Sequence, residues 1–161
     1  MESNFKEEQK FTQWWLQTIL IVIGLIFIYG IYSQLILDKP FGDNPLSDIW
    51  LIIFALFIFG LIILFWALRL KTEIDKEEIR INFIPLFKKT IRWKDVESAK
   101  IVNYGFIGGW GIRLFTKYGT AYNIKGDKGL ALVLKNGKRI LIGTQKEAEL
   151  DLIIKSHGYE I

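Results

Sequence analysis

Two stretches of this chain carry no charged residue, 11–37 and 49–68. Neither shows a polar face, so helical amphipathicity is absent and a solvated surface helix is excluded. A helix needs about 20 apolar residues to cross a hydrocarbon core of about 30 Å, and both stretches are long enough. The pattern predicts two transmembrane helices over 14–37 and 49–68, because a helix satisfies every backbone N–H and C=O internally. Trp14, Trp15, Trp50 and Trp66 fall near their ends, where an indole buries its ring and keeps its N–H wet. The first stretch is too long for a signal peptide, and Ile36-Leu37-Asp38 offers no small-residue cleavage site. The link 38–48 contains Pro40, Gly42, Asn44 and Pro45, which stop helices and make turns. So short a link makes the spans an antiparallel hairpin, with both outer ends on one side. Gly24 and Gly30 permit close helix packing, though not at GxxxG spacing.

From Arg69 onward the apolar period changes from none to two. Ile79, Ile81 and Phe83 alternate with Arg80 and Asn82; Ile112 and Leu114 flank Arg113; Leu130, Leu132 and Leu134 form another row. Alternation of this kind marks strands with one buried face. Strands are expected near 69–75, 78–84, 86–92, 97–104, 111–117, 120–124, 129–135 and 138–143, merging to about seven. Lys135-Asn136-Gly137-Lys138 reads as a type I′ hairpin turn, which needs positive φ at both central residues. A helix over 145–157 follows, with Thr144 and Glu147 at capping-box spacing and Leu150, Ile153, Ile154 and His157 on one face. Gly158 suits its C-cap. The fold class expected is therefore a membrane α-helical hairpin plus a mainly-β domain over 69–161, a small antiparallel barrel or sandwich capped by a C-terminal α-helix. Residues 1–13 read as a short segment ahead of the spans.

The runs Ile91-Arg92-Trp93-Lys94-Asp95-Val96, Gly109-Trp110-Gly111-Ile112-Arg113, Ala121-Tyr122-Asn123-Ile124 and Gly129 to Gln145 carry a likeness. Together with the two-helix anchor, they make the chain resemble bacterial pleckstrin-homology-like (PH-like) domain proteins with N-terminal transmembrane segments. The resemblance implies a seven-stranded sheet closed by a helix, and supplies no catalytic residue to carry over.

Composition explains why the chain reads in two parts: 51% of residues are hydrophobic and 24% charged, and the two classes are segregated. The net charge of +4 divides as about −1 before the first span, about −2 in the link and, by difference, about +7 in the domain. Lys6 and Lys10 precede the spans and Arg69, Lys71 and Lys76 follow them, while the link holds only Lys39. The positive-inside rule then places both termini in the cytoplasm and the hairpin in the plasma (inner) membrane. No charge lies within either span, which argues against an ion or proton pathway. Scattered Lys and Arg residues argue against nucleic acid as a partner.

Chemistry is sparse. With no Cys and a single His, thiolate or polyhistidine metal sites are excluded, and no cofactor is expected. His157 reads as a packing or dipole residue. Gly105 to Gly111 lacks GxxxxGK[ST] and GxGxxG, so it is a turn rather than a phosphate cradle. Arg69, Lys71, Lys76 and Arg80 are interleaved with Glu73, Asp75, Glu77 and Glu78, which would repel a phosphate. Two sets of contact residues remain. Lys88, Lys89, Arg92 and Lys94 form a basic run suited to an anionic leaflet, and Phe106 and Trp110 form an aromatic tip suited to a partner or bilayer. The function expected is non-enzymatic: a membrane-anchored module for protein–protein or self-association. The alternative is binding of anionic lipid headgroups or a small ligand by the basic face.

Overall fold

The computed structural model describes residues 5–156 and 158. The chain forms two compact units, one of residues 11–67 and the other of residues 1–10 with 68–161.

The helical unit holds α1 (Trp14–Ile31), which runs on into a single π-helical stretch (Tyr32–Ile36), and α2 (Asp48–Ala67). Both are long and apolar enough to cross a membrane, and most of their surface is exposed apolar side chain. Several of their polar side chains are paired. Gln17 Nε2 donates to Phe11 O (2.8 Å) while its Oε1 accepts from Trp66 Nε1 (2.9 Å), tying the helices at one end. At the other end Gln34 Nε2 donates to Leu46 O and Asp48 Oδ1, both at 2.7 Å. Gly24 faces Phe59 and Ile62 of α2, and the Phe41 ring packs over Gly30, where a Cβ would come within 2.8 Å of it. The two glycines therefore serve packing inside the hairpin.

Among the described residues the second unit contains nine strands in two sheets of four and five. The first sheet runs β1 (Phe5–Lys10), β2 (Arg69–Ile74), β3 (Glu78–Ile84), β4 (Phe87–Arg92), all antiparallel. The second is built from β5 (Val96–Asn103), β6 (Gly111–Thr116), β7 (Gly119–Asn123), β8 (Lys128–Leu134) and β9 (Arg139–Gly143), in the order β5-β8-β9-β7-β6. β7 and β9 pair in parallel, so the expected wholly antiparallel sheet of about seven strands is corrected on both counts. The reason is local. β8 and β9 form a hairpin, and β9 then fills the slot beside β7, whose other edge is taken by its hairpin partner β6.

The strand missed from sequence is β1. It lies before the first span yet pairs with β2 from Phe5↔Ile74 to Lys10↔Arg69. The whole helical hairpin is thus inserted, in sequence, between two neighbouring strands of one sheet. Phe5 is fully buried, and Glu7 and Gln9 on the same face are largely buried.

The core lies between the sheets. Leu70, Ile74, Ile79, Ile81 and Phe83 from the first meet Leu130, Leu132, Ile140 and Ile142 from the second, each at most 1% exposed. Phe87 of β4 packs on Tyr122 of β7 at 5.0 Å. The other face of the second sheet is also covered, since Tyr104, Ala121, Ala131 and Leu141 cluster there beneath Val102, Ile107 and Tyr118. Burial on both faces explains the nearly continuous apolar runs of β8 and β9. The helix α3 (Glu147–Ser156) packs against β1 and β5 through Leu150, Ile153 and Ile154. His157 lies outside the described residues.

The helix start differs from a capping box. Thr144 N–H donates to Lys128 O, so it is unavailable to Glu147, whose carboxylate instead pairs with Lys128 Nζ. The acid at this helix start is Glu7 of β1. It accepts from Thr144 Oγ1 (2.6 Å) and from Gln145 N (2.7 Å), at the helix end where the dipole favours negative charge. Gln9 Nε2 donates to Gly143 O at 2.8 Å, so two polar residues of β1 fasten the segment between β9 and α3.

Candidate functional site

The four cations Lys88, Lys89, Arg92 and Lys94 do not converge. β4 is an edge strand and its side chains alternate, so Lys88 and Arg92 are exposed on one face while Lys89 points with Phe87 and Ile91 to the other. Lys94 sits on the short 3₁₀ turn Trp93–Asp95 that leads into β5. Of the four, Lys89 lines a cleft.

The cleft, of about 290 Å³, lies between β4 and the β8–β9 turn and is lined by Lys89 together with Lys135, Asn136 and Lys138. The turn that delivers the last three is not type I′. Leu134 N donates to Lys138 O and Gly137 N donates to Leu134 O, both at 2.8 Å, and Gly137 alone of the turn residues has positive φ, at 79°. This is the three-residue hairpin loop with glycine in the left-handed position. Asn136 Oδ1 accepts from Lys138 N (3.0 Å), and Lys135 N donates to Asp95 O (3.0 Å), which fixes the turn against the 3₁₀ segment. Burial, reinforced by the charge of Lys138, lowers the pKa of Lys89, whose Nζ lies 5.9 Å from the centroid of the Tyr122 ring. Sequence reasoning missed Lys135 and Lys138 because they looked like ordinary solvated turn residues.

Several cations elsewhere are neutralised by carboxylates. Glu8 pairs with Lys10 (3.3 Å), Arg69 (3.4 Å) and Lys71 (3.1 Å), and its pKa is lowered chiefly by the Lys71 hydrogen bond. Arg80 is held by Asp75 (2.6 Å), Glu78 (3.1 Å) and Glu73 (3.6 Å). Of the interleaved acids of the β2–β3 region, Glu73, Asp75 and Glu78 hold Arg80, while Arg69 and Lys71 are held by Glu8 of β1.

The aromatic tip is a second candidate. Phe106 is 81% exposed and Trp110 is 38% exposed, but the loop carrying them is anchored. Ile107 packs on the outer face of the second sheet, Gly105 N donates to Asn103 Oδ1 (3.0 Å), and Asn123 Nδ2 donates to Gly109 O (3.4 Å). Beside it, the open edge strand β6 exposes Leu114 and Phe115, the latter by 98%. Leu114 was expected to face inward with Ile112. The register shifts between Arg113 and Thr116, and Phe115 adopts a φ of 58°, so the bulge breaks the alternation and turns both side chains out. Among the described residues no group of three His, Asp or Glu side chains is placed to hold a metal.

No curated protein sequence matches this one. A family described as a family of unknown function, DUF6141, matches residues 3–158, which spans β1, the helical hairpin and both sheets. The chain therefore belongs to the DUF6141 family of unknown function.

Proposed function

We propose that this protein is a non-enzymatic, membrane-anchored PH-like interaction module, holding its β-domain at the cytoplasmic face of the inner membrane to bind another protein chain. The observation that carries the anchoring is the β1–β2 ladder. The segments entering and leaving the helical hairpin are adjacent strands of one sheet, paired up to Lys10↔Arg69. Both outer ends then lie on one side, and the positive-inside rule makes that side cytoplasmic. The PH-like reading is supported by a four-stranded sheet facing a second sheet with a terminal helix between them; the parallel β7–β9 pair is a departure from it.

The binding role rests on β6. An open strand edge offers unpaired N–H and C=O groups to an incoming strand, and proteins ordinarily blunt such edges. Here the edge is bulged, but the bulge leaves Leu114 and Phe115 exposed as apolar contacts for such a strand. Tethering raises the effective concentration of any partner held at the same surface, so a short edge contact suffices. The chain has no native cysteine, which allows a clean test. A cysteine placed at Leu114 and bridged by a bismaleimide in isolated membranes should give a discrete adduct, of two copies or of one copy with another protein. The adduct should disappear in Phe115→Asp. No adduct, or one indifferent to Phe115→Asp, rejects the reading.

A further inference from the structure

We propose that the cleft between β4 and the β8–β9 turn is a binding site for a phosphate-bearing anion, held by Lys89, Lys135 and Lys138. This goes beyond the protein-binding role assigned to β6, and stands or falls separately from it.

Charge is the first argument. Lys71, Arg80, Lys128, Lys146 and Lys155 each pair with a carboxylate. Among the described residues, Lys89, Lys135 and Lys138 make no such pair, although all three line one cleft. A single carboxylate, Asp95, lines it with them, so the cleft carries an excess of two positive charges. Like charges lining one cleft repel, as the effect of Lys138 on Lys89 shows, and a bound anion removes that cost. The second argument is preorganisation. The hairpin loop and the Lys135 N to Asp95 O bond fix the turn, and Lys89 is half-buried beside Tyr122. The third is chemistry and size. Lys binds phosphate as a compact point charge, and three of them match its multiple negative charge better than that of a single carboxylate. The Asn136 amide NH₂, with no bond of its own among the described residues, adds a donor. A cleft of about 290 Å³ is close to the lower end of small-molecule sites, about 300 Å³, which suits a headgroup or small phosphorylated metabolite.

The source of the phosphate is decided by experiment on the full chain. In nanodiscs of phosphatidylcholine, calorimetric titration with inorganic phosphate and with glycerol 3-phosphate tests the free anion. In nanodiscs containing phosphatidylglycerol, native mass spectrometry of retained lipid tests the headgroup. Saturable binding of one anion per chain, or selective retention of phosphatidylglycerol, is expected in at least one arm. Lys89→Gln and the surface double variant Lys135→Gln/Lys138→Gln should each weaken it at least tenfold. Asp95→Asn should strengthen it, and Lys88→Gln, on the opposite face of β4, should leave it unchanged. The double variant alters only exposed turn residues, so it keeps the test valid if Lys89→Gln fails to fold. Absence of saturable binding in both arms, or binding that the double variant does not weaken, overturns the proposal.

Discussion

At position 115 a phenylalanine is 98% exposed with a φ of 58°. A bulky side chain in the left-handed region costs about 1–3 kcal/mol, and this one recovers nothing by burial. Phe115→Gly should therefore raise the unfolding free energy by about 1 kcal/mol, read as a higher thermal midpoint of the detergent-solubilised chain. The same variant should lose the crosslinked adduct formed through Leu114. Lower stability in Phe115→Gly would show that the ring contributes to the fold and would remove the argument that it is retained for binding. The contrast with Gly137 is informative. Both positions have positive φ, but only the β8–β9 turn uses the residue type that suits it.

At the scale of elements, β1 ties the stretch ahead of the helical hairpin into the β-domain. Its inward side chains are Phe5, Glu7 and Gln9, and two of the three are polar. That is why the alternation of Phe-Lys-Glu-Glu-Gln-Lys went unread: the pattern marks strands by apolar inward positions, and here the inward groups bond Thr144, Gln145 and Gly143, 134 or more residues away. By contrast, β2 to β9 all fall close to the stretches expected, and α3 begins and ends within two residues of its expected bounds, because apolar period and turn chemistry are local. Pairing order is not local, so the parallel β7–β9 contact was invisible. The cleft was half legible. Lys89 was named from its basic run, while Lys135 and Lys138 join it only through the turn's exact shape in space. Because Lys10 pairs with Arg69, a two-residue Asn-Gly turn can replace residues 11–68. A chain of 1–10 joined that way to 69–161 should unfold cooperatively. The fragment 69–161 alone should be less stable by about 3–5 kcal/mol or fail to fold, since losing a buried Phe already costs that much. Equal unfolding curves would show that β1 is dispensable.

Uncharged stretches make two helices able to span a bilayer, the strands on either side of them form one sheet, and that sheet belongs to a domain with one open aromatic edge and one basic cleft. The central claim is that the hairpin is a membrane anchor with both outer ends on the cytoplasmic side. Because the chain lacks cysteine, single cysteines at Lys6, Asn44 and Ser98 report the side of β1, of the link and of the β-domain. Intact spheroplasts are treated with a membrane-impermeant maleimide, before and after lysis. The account predicts labelling at Asn44 in intact cells, and at Lys6 and Ser98 only after lysis. Labelling of Lys6 and Ser98 from opposite sides, or of Asn44 only after lysis, would contradict it.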